Sequence, residues 1–297
     1  AEAPMPRFDL LDPSKYNRLT VQTSRGCPHR CSFCASSVLL TNQYKVKPVA
    51  KVMEEIQAIK RIWDRPFIEF ADDNSFARRG HYKALMRALV PEGLRWFTEA
   101  DISVARDDEL LGLMRDAGCQ QVLIGLESPR SASLAGLETR ADWKRKRLDT
   151  YAEGIRRIQD HGITVNGCFI LGLDGDTPET FDEVLGFIRD TELYEVQVTL
   201  LTPFPGTPLY EQLELEGRLL HPGEWDRCTL FDLNIQPQSM SIDDLQRGFL
   251  RLVKTLYSEE ETEKRRRGFR QRLRTSPHAR RTNGHGRDRA AIESPAA

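Results

Sequence analysis

The sequence predicts an α/β fold built on a parallel sheet, and three observations predict it. Six apolar, β-rich runs alternate with helical patterns, as strand–helix–strand units require. Several of these runs are apolar without strict alternation, which suits strands covered on both faces. The six units fall short of the eight of a closed barrel. The sheet is therefore either open and doubly wound or a partial barrel, and in both cases chemistry belongs at the C-terminal ends of the strands.

The strands are expected at 19–24 (LTVQTS), 67–71 (FIEFA), 95–99 (RWFTE), 121–126 (QVLIGL), 164–172 (TVNGCFILG) and 196–201 (VQVTLL). Pro48 opens the first helix, where Val49, Val52, Met53 and Ile56 form an i, i+3, i+4, i+7 stripe. A second helix is expected over 78–90. Leu110, Leu111 and Met114 carry another that stops at Gly118, a natural residue just past a helix end. Leu148, Tyr151, Ile155 and Ile158 mark the next, closed by Gly162. The segment DTPET then starts a helix that Asp176 can cap, with Glu179 three residues on and a stripe of Phe181, Val184, Leu185 and Ile188. A last helix is expected over 241–262, on Leu245, Phe249, Leu252, Val253 and Leu256.

With 297 residues, 39% of them hydrophobic, the chain has material for a substantial core. No run approaches a membrane span and no charged-then-apolar signal segment opens the chain. Six cysteines, three of them clustered, argue against a disulfide scaffold and for a reducing, cytoplasmic setting. The chain opens on alanine, which fits a processed chain or a fragment with something upstream missing. Its net charge of −1 hides an asymmetry: residues 264–297 hold 11 Lys/Arg against Asp288 and Glu293, and the rest holds 32 basic and 42 acidic residues. The division expected is a linker-like 1–18, a core domain over 19–220, an extension with a helix over 221–263 and a disordered Arg-rich tail over 264–297.

The segment SRGCPHRCSFCAS places Cys27, Cys31 and Cys34 in a C-x₃-C-x₂-C spacing directly after the first strand. Closely spaced thiolates on a loop can turn toward one point. A structural zinc site would need a fourth ligand, and His29, two residues from Cys27 and from Cys31, is awkwardly placed to be one. A disulfide with one free thiol is a second reading. A 4Fe–4S cluster on three thiolates, with one iron open to a ligand, is a third.

This spacing, with Phe33 just before the last cysteine and a strand just before the loop, resembles the radical S-adenosylmethionine (radical SAM) enzymes over roughly residues 16–220. The resemblance implies a partial β/α barrel of six units, of TIM type. It also implies that Cys27, Cys31 and Cys34 ligate the cluster, whose open iron binds the amino and carboxylate groups of S-adenosylmethionine. An electron through the cluster then cleaves the C5′–S bond and gives a 5′-deoxyadenosyl radical that takes a substrate hydrogen.

The same resemblance assigns cofactor contacts at strand ends. Asp72, Asp73 and Asn74 in FADDNSF stand where the family holds the methionine amino group; a capped turn is their ordinary use. Glu127 and Ser128 in IGLES stand beside the ribose or methionine, or else form a plain strand-end acid and a Ser-Pro turn. Gly172 and Gly175 would let backbone approach the adenine, and Thr199, Leu200 and Leu201 would pack on it, with core as their alternative. Glu99 is polar lining at the same mouth, and Cys119, Cys168 and Cys228 read as packing residues.

Together with FTEADI and GLDGDTPETFDEV, these motifs resemble the branch of the family usually fused to a cobalamin-binding domain, whose members include methyltransferases and cyclases. The opening PRFDLLDPSKYN resembles the linker after that domain, although the chain holds no Asp-x-His-x-x-Gly cobalamin signature. Cobalamin is thus expected only if that domain belongs upstream. A small-molecule substrate and a flavodoxin or ferredoxin as reductant are the implied partners, without nucleic acid or a membrane span. The rivals are a tRNA-modifying, methylthiotransferase-like member and a non-catalytic zinc-binding module.

Overall fold

A computed structural model describes residues 3–36, 43–139 and 141–278. Its centre is a six-stranded sheet of β1 (Leu19–Val21), β4 (Phe67–Ser75), β5 (Arg95–Ala100), β6 (Cys119–Glu127), β7 (Thr164–Leu171) and β8 (Glu195–Leu200), in that order. Every neighbouring pair is parallel. Between β1 and β4 a small antiparallel pair, β2 (Ser24–Arg25) and β3 (Lys45–Val46), brackets the cysteine loop.

The crossovers carry α1 (Val49–Ile62), α2 (Arg79–Leu89), α3 (Asp108–Asp116), the short α4 (Ser131–Leu134) and α5 (Trp143–Arg147), α6 (Tyr151–Asp160) and α7 (Thr180–Thr191). The glycine stops hold: Gly118 and Gly162 sit at φ +93° and +81°, conformations that cost glycine least. One cap does not hold. Asp176 makes no cap on α7 but turns back to accept the N–H groups of Gly172 and Leu173 at 2.8 and 3.0 Å. Two strand-end amides left beyond the ladder outcompete a helix terminus four residues on.

Burial alternates along the strands, which departs from expectation. Ile68, Phe70, Trp96, Val122, Ile124, Val165, Phe169, Val196 and Val198 are buried beneath the helices. The intervening Glu69, Phe97, Leu123, Asn166, Cys168 and Gln197 are only partly buried and line the other face. The fold is thus a partial β/α barrel with an outer apolar core and a partly accessible concave inner face. Cys119 is a core residue, but Cys168 lies on the concave face, 3.7 Å from Gln197 Oε1.

Beyond β8 come α8 (Pro208–Leu215), α9 (Ile242–Leu256) and α10 (Glu259–Thr275). A Cβ on Gly248 would lie 2.2 Å from the Phe181 ring, so the α9 backbone packs directly on that ring of α7. A tail disordered from 264 is not what forms. Ser258 caps α10 through the Glu261 N–H, acids fill its first turn and arginines its last, complementing the helix dipole. Phe269, 3% exposed, packs edge-on to Tyr194, while Arg272 pairs with Asp160 and Glu192, and Glu261 with Arg189. One aromatic and interhelix ion pairs make a face that no apolar stripe announces. Residues 279–297 of the expected tail lie outside the described residues.

Candidate functional site

The cysteine loop leaves β1 and runs along the C-terminal ends of β4 and β5. Asp72, on β4, is 3% exposed. Its Oδ1 accepts the backbone N–H groups of Thr23 and Ser24, both at 2.7 Å. Its Oδ2 accepts the hydroxyls of Thr23, Ser75 and Tyr82. Five donors leave this carboxylate nothing for a ligand, which corrects the expectation that it touches a cofactor. Asp73 braces the loop from the next position, accepting the Gly26 N–H at 2.6 Å and the Ser36 hydroxyl. These anchors lie on either side of the three cysteines.

The opposite edge of the loop is fastened to the segment after α4. The Ser32 N–H donates to Leu137 O at 2.7 Å, Thr139 N–H to Arg30 O at 2.9 Å, and Leu209 N–H at the start of α8 to Ser32 O at 3.0 Å. Phe33 packs into a satellite core of Leu134, Leu137, Leu173, Leu201, Leu209, Leu213 and Ile235. These contacts with the core fix the loop.

Cys31 is buried, and Cys27 and Cys34 are half-buried. Burial pushes the Cys27 and Cys31 thiols up, partly countered at Cys27 by the Asn74 amide and at Cys31 by the Lys144 charge. An iron ion at such sulfurs takes the place of a proton. Among the described residues no three His, Cys, Asp or Glu side chains converge on one ion-sized point. Ligands of a single zinc must so converge, at about 2.3 Å per sulfur. Thiolates of a four-iron cluster each bind a different iron and need not converge on a single point.

Asn74, also 3% exposed, reaches Cys27. Its Nδ2 lies 3.7 Å from Cys27 Sγ and donates to Asp101 Oδ2 at 3.0 Å, while its Oδ1 accepts the Asp101 N–H at 3.2 Å. Asp101 also faces His29 Nε2 at 3.3 Å and accepts the Ser103 N–H at 2.8 Å. Burial works against its charge, yet the donors His29, Ser103 and Asn74 hold its carboxyl well below the usual range. On its other side His29 lies 3.6 Å from Glu138 and its ring centroid is 4.4 Å from that of Trp143. This histidine is a clamp within the loop. The sequence signal for Asp101 is its position two residues after Glu99, just past the end of β5.

Glu127 ends β6 at φ +64°, a conformation unfavourable for a residue with a Cβ. Its Oε1 lies 2.9 Å from Lys144 Nζ, which also donates to Gly125 O at 2.6 Å. Burial works against the Lys144 charge, and the Glu127 carboxylate outweighs it and holds the proton on. A Cβ on Gly125 would sit 2.5 Å from Glu127 Oε1, so glycine makes room for the pair. Lys144 lies within a run of basic residues that carries no separate signal. Ser128 is buried and its hydroxyl accepts the Arg130 N–H at 3.2 Å, the turn rather than a ligand contact.

The remaining strand-end residues face the protein. Gly172, at φ +96°, would direct a Cβ at Leu245 of α9, and a Cβ on Gly175 would lie 2.3 Å from the Ala132 carbonyl carbon. Their close approaches are to the chain itself. Leu200 belongs to the main core and its N–H donates to Leu230 O at 2.8 Å; Leu201 belongs to the satellite core. Thr199 is buried beside Phe169 O. Glu99 lies on the concave side and is exposed; partial desolvation, followed by the charges of Glu69, Asp73 and Asp72, pushes its carboxyl upward.

A partial β/α barrel with a three-cysteine loop at the mouth defines a class of enzyme cores. The sequence model of the radical SAM superfamily matches residues 21–188, and that of a domain of unknown function matches 207–293. The chain is 32% identical over 228 residues to the hopanoid C-2 methylase of Rhodopseudomonas palustris, covering 73% of this chain and 42% of that protein. It is 27% identical to the bacteriochlorophyllide d C-12(1)-methyltransferase of Chlorobaculum tepidum, covering 88% and 57%. The fold is similar to that of the radical S-adenosylmethionine methyltransferase TsrM of Kitasatospora setae with cobalamin and a [4Fe-4S] cluster bound, at a TM-score of 0.59 and 22% identity, covering 69% and 38%. The chain belongs to the radical SAM superfamily, an enzyme family that uses a 4Fe–4S cluster and S-adenosylmethionine. It spans about half the length of the curated relatives it matches. Among the described residues no helix is long and apolar enough to cross a membrane.

Proposed function

We propose that this chain is the catalytic core of a radical SAM enzyme that methylates or rearranges a small molecule, with Cys27, Cys31 and Cys34 each holding one iron of the cluster. The observation that carries the reading is the bracing of the loop: Asp73 holds it before and after the cysteines, and Asn74 reaches the Cys27 sulfur. When bound, the cluster supplies the electron that cleaves S-adenosylmethionine. The chain's own residues orient the thiols and, through Phe33 and its satellite core, fix the loop against the barrel. The concave face, which carries Glu99, Asn166, Cys168 and Gln197 beside Phe97 and Leu123, is where the reacting molecules would lie.

Methylation with cobalamin as a further cofactor is supported by the methylases among the relatives and by the cobalamin in TsrM. A reducing cytoplasm and a flavodoxin or ferredoxin donor suit free thiols and a one-electron step. Anaerobic reconstitution tests the reading. A brown protein with about four irons and four sulfides per chain, forming 5′-deoxyadenosine on reduction, supports it. Loss of this iron in Cys27→Ala, Cys31→Ala and Cys34→Ala locates the cluster; a colourless chain carrying one zinc would sink the reading. Transfer of a labelled methyl group only when cobalamin is added separates methylation from rearrangement.

A further inference from the structure

We propose that Asp101 is a positioning residue for Cys27: it fixes the Asn74 amide so that one N–H is directed at the Cys27 sulfur. The inference rests on the reading of Cys27 as a cluster ligand. A carboxylate only accepts hydrogen bonds and a backbone N–H only donates them. Asp101 presents both to one side chain, its Oδ2 to Asn74 Nδ2 at 3.0 Å and its N–H to Asn74 Oδ1 at 3.2 Å. Turning the amide over would set oxygen against carboxylate and NH₂ against N–H, so a single orientation satisfies all four groups. In that orientation Nδ2 stands 3.7 Å from Cys27 Sγ.

Asp101 is itself immobilised. Its Oδ1 accepts the Ser103 N–H, and its Oδ2 faces His29, a residue of the loop between Cys27 and Cys31. One carboxylate thus keeps the end of β4, the end of β5 and the cysteine loop in register. Outer partners of this kind orient ligating groups and tune what they hold. A hydrogen bond to a cluster sulfur favours the more electron-rich, reduced state and raises the reduction potential. Asn74 is the donor, and Asp101 acts through it.

The test is a double-mutant cycle on the reconstituted full chain, read as the midpoint potential of the cluster in an anaerobic titration followed by electron paramagnetic resonance. Asn74→Leu should shift the midpoint to lower potential with iron and sulfide content retained. The same substitution in an Asp101→Ala background should give a clearly smaller shift, because the amide is no longer aimed. The direct effect of the lost charge cancels in this comparison. In an Asp101→Asn background, where an amide oxygen still accepts, the full shift should return. Equal shifts in all three backgrounds, or none in the wild type, would overturn the inference. Should Asn74→Leu take up no iron, Asn74→Gln replaces it, and loss of iron there too makes Asn74 a folding residue and overturns the inference. A wild-type chain without iron would instead overturn the cluster reading beneath it.

Discussion

The Asp72 carboxylate, on β4, accepts the backbone N–H of Thr23 at 2.7 Å, tying the end of the first strand to its neighbour where the cysteine loop departs. Asp73, one residue on, points to the other face and holds the loop itself. The two adjacent acids therefore have different duties, and their substitutions should separate. Asp72→Ala strands several buried donors at about 1 kcal/mol or more each, so urea unfolding should show a loss of at least ~3 kcal/mol. Asp73→Ala should cost under ~1 kcal/mol, as its site is half-buried. It should instead quicken alkylation of Cys27 and Cys34 by iodoacetamide in the apo chain. Equal stability losses would show that the division of labour is wrong.

The Glu127–Lys144 pair sits beside Cys31 with Lys144 only 8% exposed. Removing one partner of a buried pair leaves the other charge uncompensated, at a cost of about 3–5 kcal/mol. Lys144→Met and Glu127→Gln should each show a loss of that order in denaturant midpoints. The double variant should lose less than the sum of the two. Full additivity would mean that the two charges do not depend on one another.

Glu99 gives the concavity a pH dependence. Desolvation and neighbouring acids push its carboxyl up to about 7 from 4.5, although the side chain keeps solvent contact. Between those values the native state keeps a proton that the unfolded chain has released, so this group's contribution to stability falls as pH rises through the window. Solvent in the concavity screens part of the effect. Glu99→Gln should flatten the slope, gaining on the wild type from pH 5 to pH 8 in urea titrations. Parallel profiles for the two proteins would refute the assignment.

Two glycines should respond oppositely to alanine. At Gly175 the new Cβ meets the Ala132 backbone at 2.3 Å, and backbone cannot yield without moving α4; a loss above ~4 kcal/mol or failure to fold is expected. At Gly186, inside α7, nothing lies within 4 Å, and Gly186→Ala should gain ~0.5–1 kcal/mol through helix propensity. Thermal melts of the two variants decide both.

Much of the fold was legible because strands and helices write their periodicities locally. The six runs became the six strands, and the stops at Gly118 and Gly162 adopt the left-handed geometry that glycine suits. The α10 helix was illegible because its buried face consists of Phe269 and ion pairs to residues far away in sequence. At the candidate site the residue types were legible but not their partners. Asp72, Gly172 and Gly175 stand at strand ends as read, yet each is engaged with the protein. Asp101 and Lys144 gain their meaning only from neighbours brought in by other parts of the fold.

By itself the sequence determined the class of fold and the three-cysteine loop, since spacing along the chain fixes which thiols can share a loop. Tertiary structure decided which strand-end groups are satisfied within the protein and which stay open to the concavity. Hydrogen-bond saturation is a property of three-dimensional neighbours, and two adjacent residues such as Asp72 and Asp73 point to opposite faces of one strand.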